Sequence, residues 1–207
     1  MTLSTDRLAY ARRVTTRAQS AAATRRSLLE AAGLLLDLGG VEAVTLREVG
    51  ARAGVSHSAA YRHFADKEAL LAVLATDALR GLADLLQALV DSDDSAEESL
   101  RSGLLSLIDL GRTRPHLYRL MFTPPAGDPG EAMRVAEGAQ ELFLDLVGRI
   151  TGPAQARRYG ALLLTSAHGI TGLDLSGHMD LDKWHTNAEE LVDTLISVLP
   201  RGTELSG

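Results

Sequence analysis

Apolar residues recur at intervals of three and four along most of this chain, which is the spacing of one face of an α-helix. In the segment 24–38 the pattern predicts a first helix, and the glycine pair at 39–40 is positioned to end it. The apolar stripe of this helix is predicted to be Leu28, Ala31, Ala32 and Leu35. The sequence shows no strict alternation of apolar and polar residues, the pattern typical of a β-strand. The chain is therefore predicted to be all-α.

Helix-start signals divide the rest of the sequence into further helices. Thr45 and Ser95 each precede a glutamate by three residues, which is the capping-box pattern. Ser56 and Asp66 can cap the helices that follow them, because a short side-chain oxygen accepts a hydrogen bond from a free backbone N–H. Pro153 suits the first turn of a later helix, where its missing N–H costs nothing.

Two segments are predicted to connect helices. The acidic run at 91–99 resembles half of a calcium-binding loop, but Ala96 stands where such a loop needs glycine, and we interpret the run as a solvated linker. The segment 123–130, TPPAGDPG, has the proline and glycine content of a loop.

The composition excludes several kinds of site. Cysteine is absent, so the chain has no disulfides, thiolate metal sites or cysteine nucleophiles. The histidines do not recur at metal-ligand spacing, and neither a metal site nor a cofactor is predicted. The sequence lacks the roughly 18 consecutive apolar residues of a membrane-spanning helix, and its start lacks the apolar core of a secretory signal. We expect a cytoplasmic protein with no membrane partner.

Charge is distributed unevenly along the chain. Residues 1–64 hold nine arginines and five acidic residues, a net charge of +4, whereas residues 65–207 carry −10. The whole-chain charge of −6 hides this asymmetry. A basic part that binds a polyanion, joined to an acidic part that repels one, would have such a distribution, and chance is the alternative.

Residues 46–64, LREVGARAGVSHSAAYRHF, have the spacing of small and apolar residues that is typical of a helix-turn-helix. Gly54 is expected to make the turn, and Gly50 to let the two helices pack closely. The predicted inner face is Val49, Ala53, Val55 and Ala60. In such a unit the start of the last helix enters the major groove of DNA. The side chains expected at base edges are those of Ser56, His57, Ser58 and Ala59.

The same segment carries exposed basic residues. The alternative interpretation is a hairpin of two helices within a core. That interpretation does not explain the basic residues Arg47, Arg62 and His63. We therefore include them in the predicted DNA-binding set.

The run TLREVGARAGVSHSAAYRHFADKEALL resembles the tetracycline-repressor-like (TetR) family of transcriptional regulators, and residues 24–71 carry the resemblance. The resemblance implies that Tyr61, His63 and Lys67 contact backbone phosphates, and that the helix start at Thr45, with Arg47 nearby, abuts another. The chemistry suits these roles, because a helix N-terminus attracts anions and hydroxyl or ammonium groups donate hydrogen bonds to phosphate oxygens.

The C-terminal part resembles the subgroup whose regulatory domain is named for a Trp-His-Gly tripeptide. The equivalent run is Ser166-Ala167-His168-Gly169, followed by ITGLDLSGHM. Alanine stands at position 167 in place of the tryptophan, so the identity of the ligand does not transfer from relatives.

A candidate ligand site is expected among the larger apolar side chains in the middle of the acidic part. Core packing and a ligand cavity within a helical bundle use the same residue types, and both interpretations stay open. For His168, a ligand contact and a structural hydrogen bond also stay open. The candidate ligand-binding residues are Leu117, Tyr118, Met121, Phe122, Phe143 and His168.

Small residues at intervals of four, three and four form one side of the helix that follows Pro153 and allow close approach of another helix. They are Thr165, Gly169, Gly172 and Ser176. Together with the apolar stripe of the last helix, they predict a homodimer formed through residues 153–176 and 187–199.

These observations divide the chain into a basic arm at 1–23, a helix-turn-helix domain at 24–70 and a ligand-binding and dimerisation domain at 71–207. The arm can follow phosphates or enter a minor groove, and a solvated arm is the alternative. The resemblance implies a regulator, most simply a repressor, that binds a palindromic operator as a homodimer and is released by a small-molecule effector.

An enzyme and a helical interaction module are the alternative functions. A hydrolase would have to use His168 with a carboxylate such as that of Asp174, but the sequence has no nucleophile elbow, phosphate loop or dinucleotide fingerprint. We therefore predict that the chain is not an enzyme. A module that binds another protein through the acidic part stays open.

Overall fold

The computed structural model describes the backbone of residues 3–123, 130–179 and 181–202, and the side chains from residue 18 onward except that of Leu181. Helices and their connections make up these residues, and no strand occurs among them, so the all-α prediction is confirmed. The helices are α1 (Leu3–Ala43), α2 (Leu46–Arg52), α3 (His57–His63), α4 (Lys67–Val90), α5 (Ala96–Thr113), α6 (Pro115–Met121), α7 (Gly130–Thr151), α8 (Pro153–Leu175), α9 (Leu181–Trp184) and α10 (Ala188–Ser197).

The chain divides into two compact units, Met1–Leu74 and Ala75–Gly207. The boundary between them falls within α4. Of the helices in the described ranges, none combines the length and the apolar character needed to span a membrane. The predicted loop at 123–130 lies outside the described residues except at its two ends.

The predicted helix caps are confirmed, although of the two predicted capping boxes only the one at Ser95 shows both of its hydrogen bonds among the described residues. The Thr45 side-chain oxygen accepts from the Glu48 N–H at 3.2 Å, and the Ser56 oxygen accepts from the next helix in the same way. Before α5, Ser95 and Glu98 form both hydrogen bonds of the capping box, at 3.2 and 3.0 Å. These bonds satisfy N–H groups that have no partner within their own helix, which is why the helices begin where they do.

Helix α1 is longer than the sequence pattern predicted. It begins at Leu3 rather than near Thr24, whose hydroxyl donates to the Ser20 carbonyl within the helix instead of capping it. Neither glycine nor proline occurs before Gly33, so nothing in the sequence interrupts the helix. The predicted break is confirmed, because the backbone at Gly39 and Gly40 is non-helical. The side chains of the predicted basic arm up to residue 17 lie outside the described residues.

In the first unit, the buried stripe of α1 is Leu28, Ala31, Ala32 and Leu36. Leu35, which the spacing placed on that stripe, is only half-buried. Side chains at adjacent positions of a helix point in directions about 100° apart. The positions of the neighbouring helices therefore decide which of two adjacent residues is buried.

In the second unit, α5 packs against α7, α8 and α10. Their apolar faces form one core whose fully buried members include Leu100, Leu104, Ile108, Leu146, Leu163 and Val192. At Gly111, α5 comes so close to α8 that a Cβ atom built there would overlap Thr171 Cγ2. Only glycine allows this approach, and it fixes the spacing of the two helices.

Candidate nucleic-acid interface and ligand site

The turn between α2 and α3 has the conformation that the sequence predicted. Gly54 has φ of +69°, a left-handed conformation that only glycine adopts readily, and the Val55 N–H bonds to the Gly50 carbonyl at 2.9 Å. Val49 and Ala60 are fully buried, as expected for the inner face. At Gly50 the two helices approach closely, as predicted, but glycine itself is not required there. A methyl group there would lie 3.6 Å from Ala60 Cβ, an ordinary contact, so the packing does not require glycine.

The start of α3 carries a polar outer face. Ser56, His57 and Ser58 are exposed, and the two serine hydroxyls lie 3.2 Å apart. One turn later, Tyr61 is half-exposed, with its ring centroid 4.7 Å from that of His57 at an angle of 56°. This tilted ring contact restricts both side chains, so this face presents hydroxyl, imidazole and phenol groups in a limited set of positions.

Ala59 does not belong to that face. Its side chain is only 8% exposed, and its N–H bonds to the Ser56 hydroxyl oxygen and carbonyl. The predicted base contact at Ala59 is therefore corrected, because the residue lies beside the fully buried Ala60 on the side of α3 that packs inward.

The other predicted contacts lie at helix ends. Thr45 and Arg47 are exposed at the start of α2, and Arg62 is exposed in the last turn of α3. His63 and Lys67 are half-buried on either side of the connection to α4. The Thr45 oxygen accepts the capping bond, which leaves its O–H proton as a donor.

None of these basic groups is neutralised by a described carboxylate. Arg47, Arg62 and Lys67 take part in no ion pair between side chains that the structure describes, and the same holds for Arg25 and Arg52. Arg25 was not among the predicted site residues. Its guanidinium lies over the Phe64 ring at 4.6 Å from the centroid, a contact between α1 and the residue that follows α3 that the spacing of residues does not reveal.

In the second unit, the structure brings three of the six predicted ligand residues together. The Tyr118 hydroxyl lies 2.5 Å from His168 Nδ1, and the Phe122 ring meets the His168 ring edge-on at a centroid distance of 4.2 Å. Tyr118 is buried and Phe122 is 43% exposed, so the cluster extends from the core to the surface.

Burial sets the protonation of this cluster. It lowers the pKa of His168 and raises the pKa of Tyr118, whose hydroxyl is also near Thr171, so burial favours the neutral form of both groups. A neutral imidazole has one N–H, and the role of Nδ1 toward Tyr118 determines whether Nε2 donates or accepts.

The other three predicted ligand residues lie elsewhere or inside the core. Leu117 and Met121 are 5% and 7% exposed. Phe143 lies against Gly160 of α8, eight residues before His168 and hence about 12 Å away along the helix axis. A groove of about 520 Å³ near the start of α8 is lined by residues outside the predicted set, such as Leu144, Asp145 and Ala156.

The two groups of the alternative catalytic pair have different partners. Asp174 pairs with Arg112, which also bonds to Glu189 at 2.9 Å, while His168 bonds to Tyr118. The carboxylate therefore ties α5 to α8 instead of orienting the imidazole.

The predicted small face of α8 is open. Thr165, Gly169, Gly172 and Ser176 are exposed, and no atom lies within 4 Å of a Cβ built on either glycine. Leu173 on the same helix is 46% exposed. In α10 the apolar stripe is divided, because its Val192 is fully buried in the core of the unit, whereas Val198, just after the helix, is 66% exposed.

Two family models match this chain. The model described as "Bacterial regulatory proteins, tetR family" matches residues 28–74, and "Tetracyclin repressor-like, C-terminal domain" matches residues 100–199. The chain belongs to the TetR family. The resemblance seen in the helix-turn-helix segment is thereby confirmed, whereas the narrower Trp-His-Gly subgroup stays a prediction.

Solved structures agree with the TetR fold. A protein of unknown function from Rhodococcus sp. RHA1 is 27% identical, with a TM-score of 0.71 over 86% of this chain and 96% of that one. A TetR-family transcriptional regulator from Streptomyces coelicolor is 23% identical, with a TM-score of 0.58 over 86% and 94%. The fatty acid degradation regulator FadR from Bacillus halodurans is 15% identical, with a TM-score of 0.62 over 87% and 96%. The search of curated proteins found no match.

Membership of the TetR family establishes the general class of this chain as a DNA-binding transcriptional regulator. The individual contacts to DNA, the ligand and the dimer face stay predictions.

Proposed function

We propose that this TetR-family chain is a repressor that binds a near-palindromic operator as a homodimer and is released by a small-molecule effector. The observation that carries the proposal is the outer surface of α2 and α3, where polar side chains and basic groups without described carboxylate partners lie together. A duplex supplies the anions that these groups lack.

We infer a division of roles within that surface. Ser56, His57 and Ser58 read base edges, since they lie at the exposed start of α3, the part of such a helix that enters the major groove. Thr45, Arg47, Tyr61, Arg62, His63 and Lys67 hold the phosphates on either side. Short hydroxyl side chains discriminate bases weakly, so phosphate contacts supply most of the affinity.

The homodimer is supported by the exposed small face of α8. Unpacked glycines in the middle of a helix are destabilising by about 1 kcal/mol each, a cost that close approach of a second copy would offset. Two-fold symmetry would place two recognition helices about 34–36 Å apart, one turn of DNA. The operator is therefore near-palindromic.

The effector site is proposed at the cluster of Tyr118, Phe122 and His168. Buried and exposed aromatic groups meet there, and the hydrogen-bonded imidazole gives an otherwise apolar site one polar contact. A ligand that binds the DNA-incompetent state more tightly would lower DNA affinity, with a typical coupling of about 1–3 kcal/mol. We propose that α4, in which the boundary between the units falls, transmits this change.

A gel shift against the promoter region of the gene's own operon, at two salt concentrations, tests the proposal. We expect a shift that weakens as salt increases and a DNA-bound species of two chains by sedimentation. A double change, His57→Ala with Ser58→Ala, leaves the Ser56 cap of α3 in place and is expected to reduce discrimination between operator and unrelated DNA while leaving binding to unrelated DNA intact. The proposed function would be overturned if the unmodified chain gave no gel shift even at low salt, or if it bound DNA only as single chains.

A further inference from the structure

Arg25 of α1 is held in place by an aromatic ring. Its guanidinium carbon lies 4.6 Å from the centroid of Phe64, within the range of about 6 Å in which a cation is attracted to a ring face. Phe64 is 3% exposed, and its N–H bonds to the Ala60 carbonyl at 3.1 Å. The ring is therefore a fixed part of the core, and the charge stacked on it has a defined position.

Stacking leaves the hydrogen-bonding edge of the guanidinium available. A guanidinium contacts a ring through its flat face, while its five N–H donors point outward in the plane. Arg25 is half-buried and pairs with no carboxylate among the described residues. The carboxylate of Asp66, two residues after Phe64, is occupied at the start of α4, where it accepts from the Ala69 N–H at 2.7 Å.

The position of Phe64 places this charge beside the proposed phosphate contacts. Phe64 directly follows His63, and Lys67 is three residues further on, at most about 11 Å from Cα to Cα even in an extended chain. A duplex strand carries one phosphate for about every 3.4 Å of helix axis, so groups at this separation can meet neighbouring phosphates of one strand.

We propose that Arg25 binds a backbone phosphate of the operator and that Phe64 positions it. Phe64 is thus a positioning residue, and the contact is made by the guanidinium edge. This inference rests on the proposed function, because it adds a contact to the same DNA-binding surface.

Salt dependence of DNA binding tests the inference with the full chain. Arg25→Ala is expected to lower the slope of log K against log salt by about 0.9, the value for one lost phosphate contact. Arg25→Lys keeps the charge but loses the planar stack, so we expect a nearly unchanged slope with weaker binding. The matched control is Arg26→Ala, which removes the neighbouring exposed arginine and is expected to leave the slope unchanged.

The outcomes separate this inference from the proposed function. If the unmodified chain binds no duplex, the proposed function fails. If the chain binds but Arg25→Ala keeps the full slope, or Arg26→Ala lowers it equally, the role of Arg25 is overturned. Phe64→Leu, which removes the ring but keeps an apolar side chain, is expected to weaken binding less in the Arg25→Ala background than alone. Equal weakening in both backgrounds would overturn positioning by Phe64, and circular dichroism checks that the variants fold.

Discussion

The two units of this chain use arginine in different ways. In the second unit, Arg80, Arg101, Arg112, Arg149, Arg157 and Arg201 all pair with carboxylates, and several of these pairs join separate helices. In the first unit, none of the described arginines pairs with a described carboxylate. The charge asymmetry in the sequence thus corresponds to a difference in bonding, since these arginines of the second unit pair with carboxylates within the protein, whereas the described arginines of the first unit have no such partner among the described residues.

The tight approach of α5 to α8 at Gly111 gives the largest expected effect on stability. Gly111→Ala introduces a Cβ that overlaps Thr171 Cγ2, and overpacking of this kind costs about 1–3 kcal/mol. Gly138→Ala is the matched control, because its Cβ meets nothing within 4 Å in the middle of α7, and it should stabilise the chain by about 0.5–1 kcal/mol. Urea unfolding of both variants measures the difference. Equal effects would mean that α5 and α8 are not held at this spacing.

The basic groups of the first unit should affect DNA binding rather than stability. Lys67→Ala is expected to lower the salt slope of DNA binding by about 0.9, with an unfolding free energy within about 0.5 kcal/mol of the unmodified chain. Fluorescence anisotropy with a labelled duplex at several salt concentrations measures the slope. A slope that stays the same would remove Lys67 from the phosphate contacts.

An arginine of the second unit should show the opposite behaviour. Arg112 bridges Asp174 and Glu189, and its hydrogen bond to Glu189 holds the pKa of that carboxyl below its usual range. Because the groups are partly exposed, we expect Arg112→Ala to cost only about 1 kcal/mol of stability, with the salt slope of DNA binding unchanged. If this variant weakened DNA binding at full stability, the proposed distinction between the two sets of arginines would be lost.

The smallest expected effect concerns pH. Burial lowers the pKa of His168, so the folded state keeps it neutral while the unfolded state binds a proton below about pH 6.5. Stability from this group is present above that pH and is lost as pH falls toward the folded pKa. The unfolding free energy of the unmodified chain is expected to decrease between about pH 7.5 and about pH 5.5. In the His168→Asn variant this decrease should be smaller. An identical pH profile for the two proteins, from denaturant unfolding, would contradict this assignment.

Local signals in the sequence predicted the helix starts well. Thr45, Ser56 and Ser95 cap helices because the bond each makes reaches only three residues along the chain. Gly54 is similar, since its positive φ is a property of a single residue. The start of α1 was missed, because no cap or helix-breaking residue marks it, and another failed prediction concerns direction. Leu36 rather than Leu35 is buried, because the facing helices decide which of two adjacent positions points inward.

The sequence by itself determined the helical class, the caps, the turn at Gly54 and the separation of basic and acidic parts, because each depends on residues near in the chain or on composition. Tertiary structure alone decided that Ala59 faces inward, that Tyr118 meets His168, and that Arg25 stacks on Phe64. These contacts join residues on different helices or depend on how one helix is rotated against its neighbours. They exist only after the helices have packed, and no local spacing encodes them.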